Sequence, residues 1–301
     1  MKKLIIMPPY GTYGDSFSMV GLIYFSLKYY DQVYFEVIPS HVFTYFSNYF
    51  AHDPLFNKRI FLTTQPEALI NNGTYGEYHV CNTSTDDWLS AKTDCADLKN
   101  IDKEFYFNDL NPMYNKLDIP EQYKCCPNKH IPNTTMAINH IFYYELVGLN
   151  NSVRMDYFNY ERNLDLENET KASILRGMPP NCKYNIVNDP IGRANQLVPY
   201  IKNGYPTINI NYIAPLPGYL TSLVEGAETI HFIEGCNVNF FYHCQYKNIF
   251  EYDKKIYFHV WIRNRNWDNE NMRLDYAWKM MAFPKLDNWE FIFDEDHARR
   301  I

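Results

Sequence analysis

Apolar positions in this chain fall into two kinds of run that alternate along it. Residues 3–7, KLIIM, form a short apolar stretch that stops at Pro8-Pro9, the pattern of a buried strand in a parallel sheet. The period then lengthens. Phe17, Val20, Ile23 or Tyr24, and Leu27 recur three or four apart, which predicts an amphipathic helix capped by Asp15 or Ser16. VYFEVIP at 33–39 predicts a strand, HVFTYFSNYF at 41–50 a helix and RIFL at 59–62 a strand. This βαβα alternation points to a doubly wound sheet.

Residues 82–130 carry Pro112, Pro120 and Pro127 and few periodic apolar positions, and read as long loops with short elements. A helical period returns at 134–149, with Gly148 placed as a C-cap, and a more polar one at 161–177. Pro179-Pro180 is a stiff punctuation mark and the expected hinge. A second series follows: strands at 183–187, 205–210, 229–233 and 255–261, helices at 218–227 and 234–247, and a helix in the tail. The expected architecture is therefore α/β, two Rossmann-like halves with a cleft between them, one over 1–178 and one over 179–301 with a C-terminal helix. The length of 301 residues fits two domains.

Composition narrows the function classes. Hydrophobic residues at 46% and charged residues at 21% are globular values. The net charge of −7 disfavours a general nucleic-acid binder. It leaves room for a small anion held locally by a helix end. Heavy use of Tyr, Asn, Phe and Ile points to an AT-rich genome, viral or bacterial. The seven cysteines are odd in number and none is spaced CxxC, so reduced thiols in a cytoplasmic protein are expected. The run LIIM is too short for a secretory h-region, and no segment is long and apolar enough for a membrane span.

Ligands of open α/β sheets sit outside the carboxyl ends of the strands, so residues just after strands are the candidates. Gly11, Tyr13, Gly14, Asp15 and Ser16 follow the first strand. Asp15 fits two roles, a general base for a substrate hydroxyl or a helix cap. The turn Glu234-Gly235-Cys236-Asn237 joins a strand to a helix, where backbone N–H groups suit a diphosphate. There Asn237 fits a cap or a ligand contact, and Glu234 fits a sugar hydroxyl. Asn188, Asp189 and Arg193 follow the first strand of the second half, with Arg193 either a phosphate fork or part of a surface turn. Glu225 ends a helix, and His231 lies within a strand facing cleft or core. The acidic runs Asp86-Asp87 and Asp294-Glu295-Asp296 read as solvated charge, so no metal is expected. GxGxxG, GK[ST] and GxSxG are all absent.

Two segments carry a family resemblance. The opening IIMPPYGTYGDSFSMVGLIYFSLK is similar to the strand, Gly-Asp loop and first helix of GT-B-fold glycosyltransferases of the heptosyltransferase-like (ADP-heptose–LPS) superfamily and its viral and phage relatives. LVEGAETIHFIEGCNVNFFYH resembles their donor-site strand, turn and helix. The resemblance implies a GT-B-like fold and a metal-independent inverting transferase without a resident cofactor. Asp15 is then the catalytic base, and Asn188, Asp189, Arg193, Glu225, His231 and residues 234–237 hold a UDP-, GDP- or ADP-linked sugar. The acceptor is a glycan or glycoconjugate hydroxyl. Where relatives often carry Asp-Ser-Ser, this chain has Glu234-Gly235-Cys236, so backbone N–H groups must replace hydroxyls at a phosphate. A non-hydrolysing nucleotide-sugar epimerase and a catalytically degenerate glycan- or nucleotide-binding protein stay open as alternatives.

Overall fold

Leu4, Ile5 and Ile6 are all fully buried, so the centre of the first strand, β1 (Lys2–Met7), is covered on both faces. It lies inside a sheet, flanked on both sides by parallel partners. On one side are β2 (Gln32–Glu36) and then β3 (Ile60–Thr63), on the other β4 (Glu77–Asn82). The order is β3-β2-β1-β4. The structure, a computed structural model, describes residues 2–8, 13–37, 40–71, 77–82, 152–188, 201–211, 216–233, 235–259 and 286–292. The helix expected at 134–149, the loops expected at 82–130 beyond Asn82, and the tail helix lie outside the described residues.

Helices flank this sheet, among them α4 (Pro66–Asn71), which lies between β3 and β4 in the chain. α3 (Ser40–Phe50) buries Val42, Tyr45, Phe46, Tyr49 and Phe50, the i, i+3, i+4, i+7, i+8 set of one helical face. The first helix differs from expectation. It is two short helices, α1 (Tyr13–Ser18) and α2 (Val20–Ser26), joined at Met19, whose N–H bonds the Ser16 carbonyl at 3.1 Å in a tightened turn. Because the helical conformation begins at Tyr13, Asp15 and Ser16 are its third and fourth residues, and neither is the N-cap. Gly21 lets α2 touch α5 (Ser152–Asp156): a Cβ there would lie 2.5 Å from the Arg154 carbonyl oxygen. The abundant aromatics fill this core. Phe17, Phe46, Tyr49, Phe50 and Phe158 meet mostly edge-on or tilted, at centroid distances between 4.9 and 6.5 Å.

The chain divides into two compact units, Met1–Glu161 and Arg162–Ile301. The second begins ahead of the Pro179-Pro180 hinge expected from sequence. α6 (Leu164–Ile174), capped by the Asn163 side chain on the Leu166 N–H, packs on the 3-10 turn Pro217–Leu220 and on α7 (Thr221–Glu225). Arg162 explains the attachment. Its guanidinium bonds both oxygens of the fully buried Glu167 in α6 and both of Glu225 in α7, and it also reaches the Ile249 carbonyl. Past α6 the chain turns at Gly177, whose φ of 91° favours glycine.

The second sheet is again all parallel. It comprises β5 (Asn185–Asn188), β6 (Thr207–Asn209), β7 (Thr229–Ile233), β8 (Ile256–His259) and β9 (Trp289–Ile292), in the order β6-β5-β7-β8-β9. At its amino edge Asn185, fully buried, uses its whole amide. It exchanges bonds with Asn203 at 2.9 and 2.8 Å, donates to the Tyr205 carbonyl and accepts from Thr229 Oγ1. α8 (Cys236–Tyr246) lies on the face of Phe232, which stacks on Phe241 at 5.4 Å. The fold is thus α/β with two parallel sheets, compatible with Rossmann-like topology. Among the described residues no helix is long and apolar enough to cross a membrane.

Candidate functional site

Each sheet has one place where the strand order reverses, and such a place opens a crevice at the carboxyl ends. In the second unit the chain leaves β5 for β6 on one side and later returns as β7 on the other. The crevice therefore opens past Asn188 and Ile233, the last residues of β5 and β7. Four of the residues singled out from sequence, Asn188, Gly235, Cys236 and Asn237, meet here. Asn188 is in register with Phe232, so it shares the sheet face that α8 covers. Asn237, second in α8, donates from Nδ2 to Asn188 Oδ1 at 2.9 Å. Gly235 is the N-cap of α8, with extended backbone, and the nearest described atom to a Cβ built on it is Asn188 Nδ2 at 3.8 Å.

The electrostatics of this corner are those of a donor cluster. The first turn of a helix leaves its N–H groups without intrahelical partners. The N-cap residue, Gly235, has no side chain with which to cap α8, and no acidic residue stands in the first turn of the helix. Cys236, half-buried, points its thiol at Asn237 Oδ1 at 3.8 Å. Asp189, Arg193 and Glu234 lie outside the described residues.

Two other expected donor-site residues sit apart from the corner. His231 is in the middle of β7, and alternation along the strand puts it on the face opposite α8. It is buried, stacks on Tyr257 at 4.7 Å, and shares a hydrogen bond between its Nδ1 and Nε2 of His259 at 3.0 Å. Burial pushes its pKa down to about 4, so the ring is neutral near pH 7. Glu225 precedes β7 and so lies toward the amino edge, a strand length of roughly 16 Å from Gly235. Its carboxylate oxygens are engaged by Arg162 at 2.6 and 2.9 Å, and Oε1 also accepts the Glu251 N–H. Burial works against the Arg162 charge, but its bonds to Glu167 and Glu225 outweigh that and raise the guanidinium pKa. His259 and Arg162 were not singled out from sequence. Strand register exposes the first, and the second shows only once α6 and α7 are packed.

In the first unit the order reverses between β1 and β4, so the corresponding reversal point lies past Met7, the last residue of β1. Asp15 and Gly14 occupy the third and second positions of α1, and Gly11 lies outside the described residues. Tyr13 is half-buried against His41 and Tyr45 of α3, at 5.2 and 4.7 Å. Ser16 is buried, and its hydroxyl has no hydrogen-bond partner among the described residues. Among the described residues no group of three or more His, Cys, Asp or Glu is placed to hold a metal ion. No family model, curated protein or solved structure matches the chain.

Proposed function

We propose that the chain is a metal-independent inverting glycosyltransferase of GT-B type that moves a sugar from a nucleotide-sugar to a glycan hydroxyl. The observation that carries this reading is the corner at the β5–β7 reversal, where Asn188, Gly235 and Asn237 gather at the amino end of α8. A pyrophosphate is the ligand such an end of a helix suits. The order of motifs along the chain supplies the rest. The acceptor belongs at the carboxyl edge of the first sheet, beside Asp15, and the donor at that of the second.

In this reading Asp15 takes the proton from the acceptor hydroxyl as its oxygen attacks the anomeric carbon. The bond from that carbon to the diphosphate oxygen breaks on the opposite face, so configuration inverts. The charge released onto the diphosphate is stabilised by the α8 N–H groups, the Asn188 amide and Arg193. Glu225 acts at a distance, as an anchor for Arg162. His231 acts beneath the crevice as a neutral core residue.

Asp15→Asn and Asp15→Ala are expected to abolish transfer while leaving folding and donor binding intact. Normal turnover in either variant would remove Asp15 from the mechanism. Isomerised donor formed without acceptor would replace the transferase reading with the epimerase one.

A further inference from the structure

An exposed turn just ahead of β6 carries the pair Asn203-Gly204. Gly204 has a φ of 74°, and a Cβ built on it meets no described atom within 4 Å, so backbone conformation rather than packing calls for glycine. The Gly204 peptide nitrogen therefore has no side chain beside it. Asn203 Oδ1 accepts the Tyr205 N–H at 3.1 Å, an Asx turn that folds the side-chain carbonyl back over the Gly204 peptide. A second donor, Asn185 Nδ2, reaches the same oxygen at 2.9 Å. Together they form an oxyanion hole in miniature. A nucleophile adding to Asn203 Cγ would place its charge on Oδ1, where two N–H groups already point.

We propose that Asn203 is a site of spontaneous deamidation, in which the Gly204 nitrogen closes on Asn203 Cγ and the fold assists the attack. The new N–Cγ bond forms as the Cγ–Nδ2 bond breaks, and the proton of the Gly204 N–H leaves with Nδ2 as ammonia. Water then adds to either carbonyl of the cyclic imide and opens it, to aspartate or to isoaspartate. The net change is amide and water to acid and ammonia, and water is the sole co-reactant. This inference does not rest on the transferase reading.

The surroundings amplify the change. Asn185 is fully buried, and its Oδ1 accepts from Asn203 Nδ2 at 2.8 Å and from Thr229 Oγ1 at 2.7 Å. Its Nδ2 also donates to the Tyr205 carbonyl at 3.1 Å. A carboxylate at position 203 has no N–H to return, so one of its oxygens faces Asn185 Oδ1. Turning the Asn185 amide over would forfeit its bonds to Thr229 and Tyr205. Either way the clamp that ties β5 to the turn before β6 and to the start of β7 is weakened. Modified copies of the chain thus carry a looser amino edge of the second sheet.

The test holds the full chain in mildly alkaline buffer at physiological temperature, beside a synthetic peptide of residues 201–207. Peptide mass spectrometry follows position 203 in both, with fragmentation that separates aspartate from isoaspartate. Conversion is expected to be no slower in the folded chain than in the peptide. Slower conversion in the folded chain would show that the hydrogen bonds protect the amide, and overturns the proposal. Gly204→Asn keeps a residue that tolerates positive φ but adds a Cβ beside the attacking nitrogen. It is expected to slow conversion several-fold, and undiminished conversion in the folded variant also overturns the proposal. Asn203→Asp, made directly, is expected to lower the melting temperature of the second unit, and an unchanged melting temperature would remove the clamp from the account.

Discussion

Replacing Arg162 with alanine is expected to destabilise the second unit by about 3–5 kcal/mol, because it strands a buried anion. Glu167 is fully buried, and Arg162 Nε and Nη2 donate to its two oxygens at 3.0 and 2.6 Å. Without the guanidinium, the carboxylate keeps only the Ser222 N–H at 3.1 Å and the Ser222 hydroxyl at 2.8 Å. Glu225 loses its bonds to Arg162 as well, but its side chain is 24% exposed and water replaces part of the loss. Glu225→Gln, which leaves the Arg162–Glu167 pair intact, therefore costs less, about 1 kcal/mol. Removing the stranded charge in Arg162→Met with Glu167→Gln restores part of the stability. Urea unfolding followed by tryptophan fluorescence reads this unit, since Trp261, Trp267, Trp278 and Trp289, four of the five tryptophans, lie after Glu161. An Arg162→Ala protein within about 1 kcal/mol of the parent would refute the reasoning. The same experiment separates two roles for Glu225: as an anchor, its Gln variant shifts the unfolding midpoint and leaves nucleotide affinity unchanged.

Other consequences follow from single contacts. Gly21→Ala sets a methyl 2.5 Å from the Arg154 carbonyl oxygen and 2.7 Å from that of Val153, both backbone, so α2 and α5 must separate. The net cost is about 2 kcal/mol even after the helix-propensity gain of about 1, and a thermal melt showing no loss would contradict it. His231 has a folded-state pKa of about 4, below its ordinary 6.5, so the unfolded chain takes up the proton first. Stability from the neutral ring is whole above pH 6.5 and is lost as pH falls toward 4, by up to about 3 kcal/mol. A His231→Gln protein should show a flatter stability profile across that window, and an unchanged slope would assign the pH dependence to other groups.

Local signals made much of the fold legible. The apolar run of KLIIM, the face of α3 and the run TIHFI need no partner to be recognised, because period and apolarity carry them. β4 was not anticipated: EYHVCN has a weak apolar signal, and only pairing with β1 from Lys2↔Glu77 to Met7↔Asn82 defines it. The start of α1 was misplaced for a similar reason, since Asp15 and Ser16 are good caps by type but the helical conformation begins at Tyr13. Of the candidate site, Asn188, Gly235 and Asn237 were legible as residues following strands. Their meeting needed strand order, because residues 188 and 237 come together only when β5 and β7 are neighbours. Glu225 illustrates the converse: its partner Arg162 is 63 positions away, and a carboxylate at a helix end gives no sign of it.

The most direct measurement is calorimetric binding of UDP-, GDP- and ADP-linked sugars to the intact protein in the presence of a metal chelator. The account predicts that one nucleotide class binds, and that its binding weakens in Asn188→Asp. Absence of binding by all three classes would contradict a sugar-nucleotide site at the amino end of α8.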